Sequence, residues 1–526
     1  MANTLIVLEA KWADTCKVIF GERVCGLEEC SPWLSGFIEP ISHNKSRLSG
    51  KEVISAPTDY CKTDKWLSFE EIDFNKTFEP LNINEIKDID SLLEALGERM
   101  HYSGNVVFGK SGNIVNSSNL NDSFYIYEVG RFGNSKYLAY CTIGRLNDTC
   151  FGSNGIEESS YCIRCSRVYR SKRCFELWMS ENCSDCHYSS GLSGCSNCMF
   201  TFNVKSKKYS IGNLELSVAR YNEIKGKLLE EMAELLIKEK RLPSLMELVE
   251  KSKFMKPSVS LGEAEESEQL DMGKIEDSFS STTSILFGAP LEGGVKQYAK
   301  WLTKHTRLTE RVNSAASEKE LYVPNAVNYT KLPKNRLLNQ KEAYKLGEST
   351  SLSETDLGDI SLKNVHEKIG PFAFFNVELN EGENKNNVEC AACVNSVNNY
   401  RNSLQLNVKN SAYCFWPRDS SSIFGCDSPF DSAFSINCYS CTQLSRCFEI
   451  DCCGYCSDVY FGHNCENVHN AMFCFNTKNK RYVIGNSPLP ADSYKKIKGA
   501  LVSQIHDELS RKKDLKWDIY NVVCAR

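Results

Sequence analysis

The chain has 526 residues, 41% of them apolar and 25% charged, with a net charge of −5. That length exceeds one simple core and points to two to four domains. The balance is that of a globular protein with no general polyanion-binding surface, and no apolar run reaches the ~18–20 residues that cross a bilayer.

In chain order, residues 1–138 read as an α+β region. The start, MANTLIVLEAKW, lacks a basic leader, and Glu9 interrupts its apolar run. It is read as a first strand and not as a classical signal peptide, which implies a cytoplasmic or virion location. Leu5–Leu8 and Lys17–Phe20 read as strands, and Ile83–Arg99 as a helix, with Ile86, Ile89, Leu92, Leu93 and Leu96 at helical spacing. Gly104–Tyr137 carries short β-like runs broken by NS, ND and GN turn signals.

The extreme number is 26 Cys, thirteen from Cys16 to Cys198 and thirteen from Cys390 to Cys524, with none between. Without a leader, a disulfide framework is not the default. Thiols buried as small apolar groups, metal ligands and redox groups remain.

Shifted by 273 residues, Ala139–Asn213 lies on Ala412–Asn486 without a gap, and 27 of 75 pairs are identical. RCFE at Arg173–Glu176 meets RCFE at Arg446–Glu449, and MFTFNVKSKKYSIGN meets MFCFNTKNKRYVIGN. The chain therefore reads as two related halves. Within each block the Cys fall in nines: Cys165, Cys174 and Cys183 in one copy, Cys438, Cys447, Cys456, Cys465 and Cys474 in the other. Columns one, four and seven hold small or apolar residues. Such a period is not helical. It fits short strands with tight turns, stacked as a β-solenoid or, less well, folded as an antiparallel meander.

Each block closes with K-x-K-[KR]-Y-x-I-G-N (Lys205–Asn213, Lys478–Asn486). A helix is expected next. Val218, Tyr221, Ile224, Leu228, Met232 and Leu235 follow Ser217 as N-cap, and Tyr494, Ile497, Leu501, Ile505 and Leu509 mark the second copy. This helix is expected to cap the open end of the β block. The Cys ladder, its closing signal and the helix together resemble a family of Cys-rich repeat proteins of uncharacterised microbial and phage genomes. The resemblance covers residues 139–236 and 412–509 and implies architecture only.

In the second half, Gly293–Leu308 reads as helical and Phe372–Leu406 as short strands. Pro257–Ser284, acidic and Ser-rich, reads as a linker. The expected organisation is an α+β region (1–138), a first Cys-rich domain (139–213), a helical cap (214–256), a linker (257–284), a second α+β region (285–411), a second Cys-rich domain (412–486), and a helical cap with tail (487–526). The fold class expected is mainly β with α: two tandem Cys-rich β-solenoid-like domains of nine-residue repeats, each followed by an amphipathic capping helix.

Four constellations could carry chemistry. Cys162-x2-Cys165 with Cys183-x2-Cys186, and Cys438-x2-Cys441 with Cys453-x2-Cys456, have zinc-site spacing. The copies do not share the set, since Cys186 faces Val459 and Cys162 faces Ser435, and the repeat itself generates C-x-x-C. Buried thiols are therefore the preferred reading and zinc the alternative. Cys183-Ser-Asp-Cys186-His187 spells a haem-attachment motif, but the second copy reads CSDVY. The eight His are scattered, with no triad, P-loop, dinucleotide fingerprint or HExxH pattern. Lys205, Lys207, Lys208, Lys478, Lys480 and Arg481 beside Tyr209 and Tyr482 could meet nucleic acid, but a solvated last turn with Tyr covering the coil is preferred. The expected function is that of a non-enzymatic structural or interaction protein, with no catalytic residues and no cofactor, in a large assembly such as a virion. Its partners are expected to be proteins, including itself, with nucleic acid weaker and no membrane. A zinc-binding module docking on nucleic acid or a ribonucleoprotein is the alternative, and a thiol redox or metal-storage protein a third.

Overall fold

The computed structural model describes residues 2–76, 78–79, 81–82, 86–259 and 271–524. Its organising period is three. From Tyr161 to Tyr188, every third residue has a left-handed backbone, with φ between 47° and 55°, and the pattern runs through most of 113–209 and 386–482. Left-handed geometry is costly for residues with a Cβ and least so for Asn and Asp, which explains why turn-forming Asn recur at Asn113, Asn116, Asn119, Asn398, Asn407 and Asn410. The residue after each corner points inward. The interior cluster of the first half runs through Leu120, Ile126, Val129, Cys141, Cys150, Cys162, Cys165 and Cys174, always a multiple of three apart. The second half does the same from Cys414 to Val483.

The strands between corners pair in parallel with partners twelve residues on. Leu138 pairs with Cys150, Cys150 with Cys162, Cys162 with Cys174, and Cys186 with Cys198. The second half steps alike, from Val397 with Lys409 to Ala471 with Val483. The protein is thus mixed α/β with extensive parallel pairing. One set of strands (Lys136–Arg145, Asp148–Phe151, Ser160–Ile163, Lys172–Glu181, Ser166–Tyr169, Asn154–Glu157) closes into a ring of six. Two expectations are corrected. Antiparallel pairing closes each ladder only at its last strand, as Ile211 with Leu214 and Ile484 with Ser487. The hydrogen-bond step is twelve, not nine. A residue nine positions on lies one step along the ladder and one side back, so Cys165 Sγ donates to the Cys174 carbonyl at 3.4 Å while pairing runs at twelve.

Several predicted elements also differ. The start is a helix, Ala2–Phe20, not strands. Leu8, Trp12, Cys16, Ile19 and Phe20 form its buried stripe, and Trp12 and Phe20 pack edge-on against Phe151 and Phe175 of the first ladder. Part of the expected linker, residues 260–270, lies outside the described residues. Its remainder enters the helix Gly273–Phe287, whose Phe279 and Phe287 pack on Phe424 and Phe448, 273 positions beyond Phe151 and Phe175. The helix expected over 83–99 forms over Ile89–Leu96, with Asp88 as its N-cap; positions 83–85 are outside the described residues. Gly293–Leu308 is reduced to short turns, Val295–Tyr298 and Ala299–Leu302.

The helices after the ladders are present as Val218–Glu239, capped by Ser217, and Ala491–Lys512. They pack beside the ladders, with Tyr221 against Tyr209 and Tyr494 against Tyr482. The last strands are met by other residues. Leu352 donates its N–H to the Gly212 carbonyl at 2.8 Å, and Asn213 donates to the Gly347 and Thr350 carbonyls. At the second ladder Leu96 sits on Gly485, and Arg99 donates to Ser487 at 2.7 Å. The segment before each ladder therefore closes the end of the other. The two main cores record the same exchange: Val53, Trp66 and Tyr102 share a core with the second ladder, and Leu321, Leu337 and Phe375 with the first.

Candidate functional site

The structure distributes the predicted zinc residues along the ladders' interiors. Cys162 and Cys186 have Cys174 between them, so Cys162, Cys165, Cys183 and Cys186 do not converge on one point. In the second ladder Cys453 lies one step from Cys441, its N–H donating to the Cys441 sulfur, while Cys438 stacks on Ile450. Among the described residues no group of three His, Cys, Asp or Glu is arranged to hold a metal. Of the free thiols all but Cys390 are buried. Burial pushes the Cys141 thiol up to about 12 and holds Cys174 and Cys447 well above the ordinary range. Cys195 is lowered by hydrogen bonds from Cys183 and Cys198, whose own thiols rise. Two disulfides, which the sequence reading did not expect, lie outside the ladders: Cys25–Cys30, and Cys61–Cys524, which joins the first half to the C-terminal tail.

The basic tips are used structurally. Lys205 lies over the Tyr344 ring at 4.3 Å, Lys207 pairs with Glu215 at 3.1 Å, and Lys478 pairs with Glu466 at 2.6 Å. His187 of the haem-like motif is buried, with Nε2 3.1 Å from the Ile19 carbonyl.

One arrangement missed by the sequence reading has the connectivity of a hydrolase triad. Ser103 Oγ is 3.0 Å from His463 Nε2, and His463 Nδ1 is 3.0 Å from Asp451 Oδ2. Its members come from both halves, so no local motif announces it. The His463 and Asp451 side chains are fully buried, Nε2 also accepts the Ser103 N–H at 2.9 Å, and Tyr60 donates to Asp451. Ser103 is itself buried and lines none of the four best-formed cavities among the described residues. The cluster instead pins residues 60–104 to the second ladder.

The accessible concave surface lies between the ladders, which run in opposite directions. Asn119, early in the first, donates to the Cys452 sulfur late in the second at 3.0 Å, whereas Glu181 and Glu381 line one cavity from late and early positions. Three cavities follow this cleft. A polar one of about 200 Å³ holds Arg131, Lys304, His305, Arg307 and Asp427. There, burial pulls the His305 pKa down, but Asp518 and Asp59 more than offset it and hold it at about 9. A second of about 420 Å³ and a third of about 590 Å³ share Arg145, Glu157, Trp416 and Arg418, and Arg131 joins the first to the third. Volumes in this range, with mixed aromatic and polar walls, suit a small ligand or a segment of a chain.

No family model, no curated protein and no solved structure matches the chain. Its geometry therefore carries the functional reading.

Proposed function

We propose that this chain is a non-catalytic structural or interaction protein, a rigid subunit of a larger assembly such as a virion or another particle. In this reading each ladder is a β-solenoid with twelve-residue coils of four three-residue sides, duplicated within the chain. The supporting observation is the reciprocal closure, with Leu96 on Gly485 and Leu352 on Gly212. It covers the ladder ends, which would otherwise recruit further strands, and welds two halves into one body presenting lateral surfaces. The buried thiols fit the same reading: they fill a narrow interior, and burial keeps thiols such as Cys141, Cys174 and Cys447 protonated.

Two measurements on one preparation test it. Metal analysis with thiol titration should find no stoichiometric metal, and the ladder thiols should stay protected until unfolding. Native mass measurement on protein taken from its source should find it in a particle much larger than one chain. Whole-number zinc released together with the thiols, or turnover of a small substrate, would reject the reading.

A further inference from the structure

On the ladders, arginines pair with a carboxylate one coil away, twelve residues on or back. Arg145 meets Glu157 at 2.9 Å, Arg164 meets Glu176 at 2.7 Å, Arg173 meets Asp185 at 2.6 Å, and Arg446 meets Asp458 at 2.7 Å. Arg170 with Glu158 and Arg401 with Glu389 do the same in the other sense. Three arginines facing the inter-ladder cleft break this rule. The positions twelve away hold Asn119 and Ile143 for Arg131, Gly155 and Met179 for Arg167, and Leu406 and Phe430 for Arg418. The duplication sharpens the contrast. Arg418 stands where the first half has Arg145, but Phe430 stands where it has Glu157.

Arg418 stacks over Trp416 at 4.8 Å and Phe430 at 5.6 Å, and its buried Nε has no hydrogen-bond partner. Stacking fixes the guanidinium plane and leaves its edge donors free for a bidentate anion. Arg131 has 17% of its side chain exposed, Nε and Nη1 lack partners, and Asp427 lies 3.8 Å away, beyond hydrogen-bond reach. Both arginines line the 590 Å³ cavity. The carboxylates there, Glu157 and Glu466, are already taken by Arg145 and Lys478. Buried donors without hydrogen-bond partners are expensive, so the two guanidiniums favour an anion in this cavity, Arg131 keeping Asp427 as a distant ion-pair partner. On the wall of the same cavity, Phe430 is 38% exposed and Tyr455, three ladder steps from Arg418, is 57% exposed, in a protein whose large aromatics are otherwise mostly buried. A free ring face in one cavity with anion donors suits a planar base joined to a phosphate.

We propose that the cleft between the ladders binds a nucleotide, free or as part of a single strand, with its phosphate on Arg131 and Arg418 and its base stacked on Tyr455. This goes beyond the scaffold reading and does not depend on it. Calorimetry on the full chain with inorganic phosphate, AMP and a six-nucleotide mixed-sequence DNA tests it.

AMP or the oligonucleotide should bind more tightly than phosphate. Arg418→Gln and Arg131→Gln should each weaken that binding tenfold or more. Tyr455→Ala, an exposed position that leaves the fold intact, should weaken AMP or oligonucleotide binding about tenfold while leaving phosphate unchanged. Affinity that rises from AMP to the oligonucleotide and falls with added salt assigns a strand; equal affinity assigns the free nucleotide. Absence of binding, neither AMP nor the oligonucleotide tighter than phosphate, or binding indifferent to Tyr455→Ala and Arg418→Gln overturns the proposal.

Discussion

At the scale of single residues, the three-residue period gives each position one task. The corner residue carries the left-handed backbone, the next fills the interior, and the third faces neighbours. Interior Ser and Cys solve the same problem in the same way. Ser159 donates to the Glu157 carbonyl and accepts the Ser171 N–H, and Cys174 donates to the Lys172 carbonyl at 3.3 Å. Cys174→Ser is therefore expected to cost less than about 1 kcal/mol, whereas Cys174→Leu overfills the ladder interior and should cost about 1–3 kcal/mol; urea midpoints of the two variants check this. His305 gives a pH dependence. Its folded value of about 9 lies above the ordinary 6.5, so its charge pairs with Asp518 and Asp59 stabilise fully below about pH 6.5 and are lost as pH rises through 9. Glu449 acts in the same direction: burial, then the Asp518 charge, raises it to about 8, so folding favours its protonated form. Stability should fall between pH 6.5 and 9.5 by up to about 5 kcal/mol, about 3 from His305 and about 2 from Glu449, and His305→Gln should flatten much of that slope in denaturation measured across pH. These groups were illegible in the sequence, because His305, Asp59 and Asp518 meet only through the tertiary fold.

At the scale of elements, the ends of the ladders decide the architecture. Gly212 and Gly485 both have φ of 55°, and an added Cβ would meet Leu352 and Leu96 respectively. Gly485→Ala should therefore cost about 1–3 kcal/mol through backbone strain and a displaced Leu96. Hydrogen exchange should show the loss first in residues 470–486, with the first ladder unaffected. The closing signal containing these glycines was visible in the sequence, and so was the helix that follows it. The partner that covers each end was not, because it lies in the other half. The N-terminal helix departs from the strands its sequence suggests for a related reason. Its stripe of Leu8, Trp12, Cys16 and Ile19 is helical in spacing, but the short run LIVL is equally at home in a strand until Phe151 and Phe175 offer it a surface.

At the scale of the molecule, the two halves complete one another. Tyr60 and Ser103 reach Asp451 and His463, Arg307 of the second half pairs with Glu39 of the first at 2.7 Å, and Cys61 is bonded to Cys524. Residues 1–256 or 273–526 expressed alone leave a ladder end bare and a core divided. Each is expected to be aggregated or molten, whereas co-expression should restore a folded pair, as read by near-UV circular dichroism and gel filtration. Independent cooperative folding of either half would show that the exchange is dispensable.

By itself the sequence determined the self-match at 273 residues, the inward placement of small thiols, the closing signals and the helices after them. These are local or periodic properties, and periodicity survives in one dimension. Only the tertiary structure decided that pairing steps by twelve, because any multiple of the three-residue side gives aligned columns and the Cys happened to mark nine. It alone set parallel over antiparallel pairing, closed each ladder with the other half's chain, and placed Arg131, Arg167 and Arg418 together in a cleft. Such contacts join residues hundreds of positions apart, and their free energy depends on burial and geometry that no window of sequence contains.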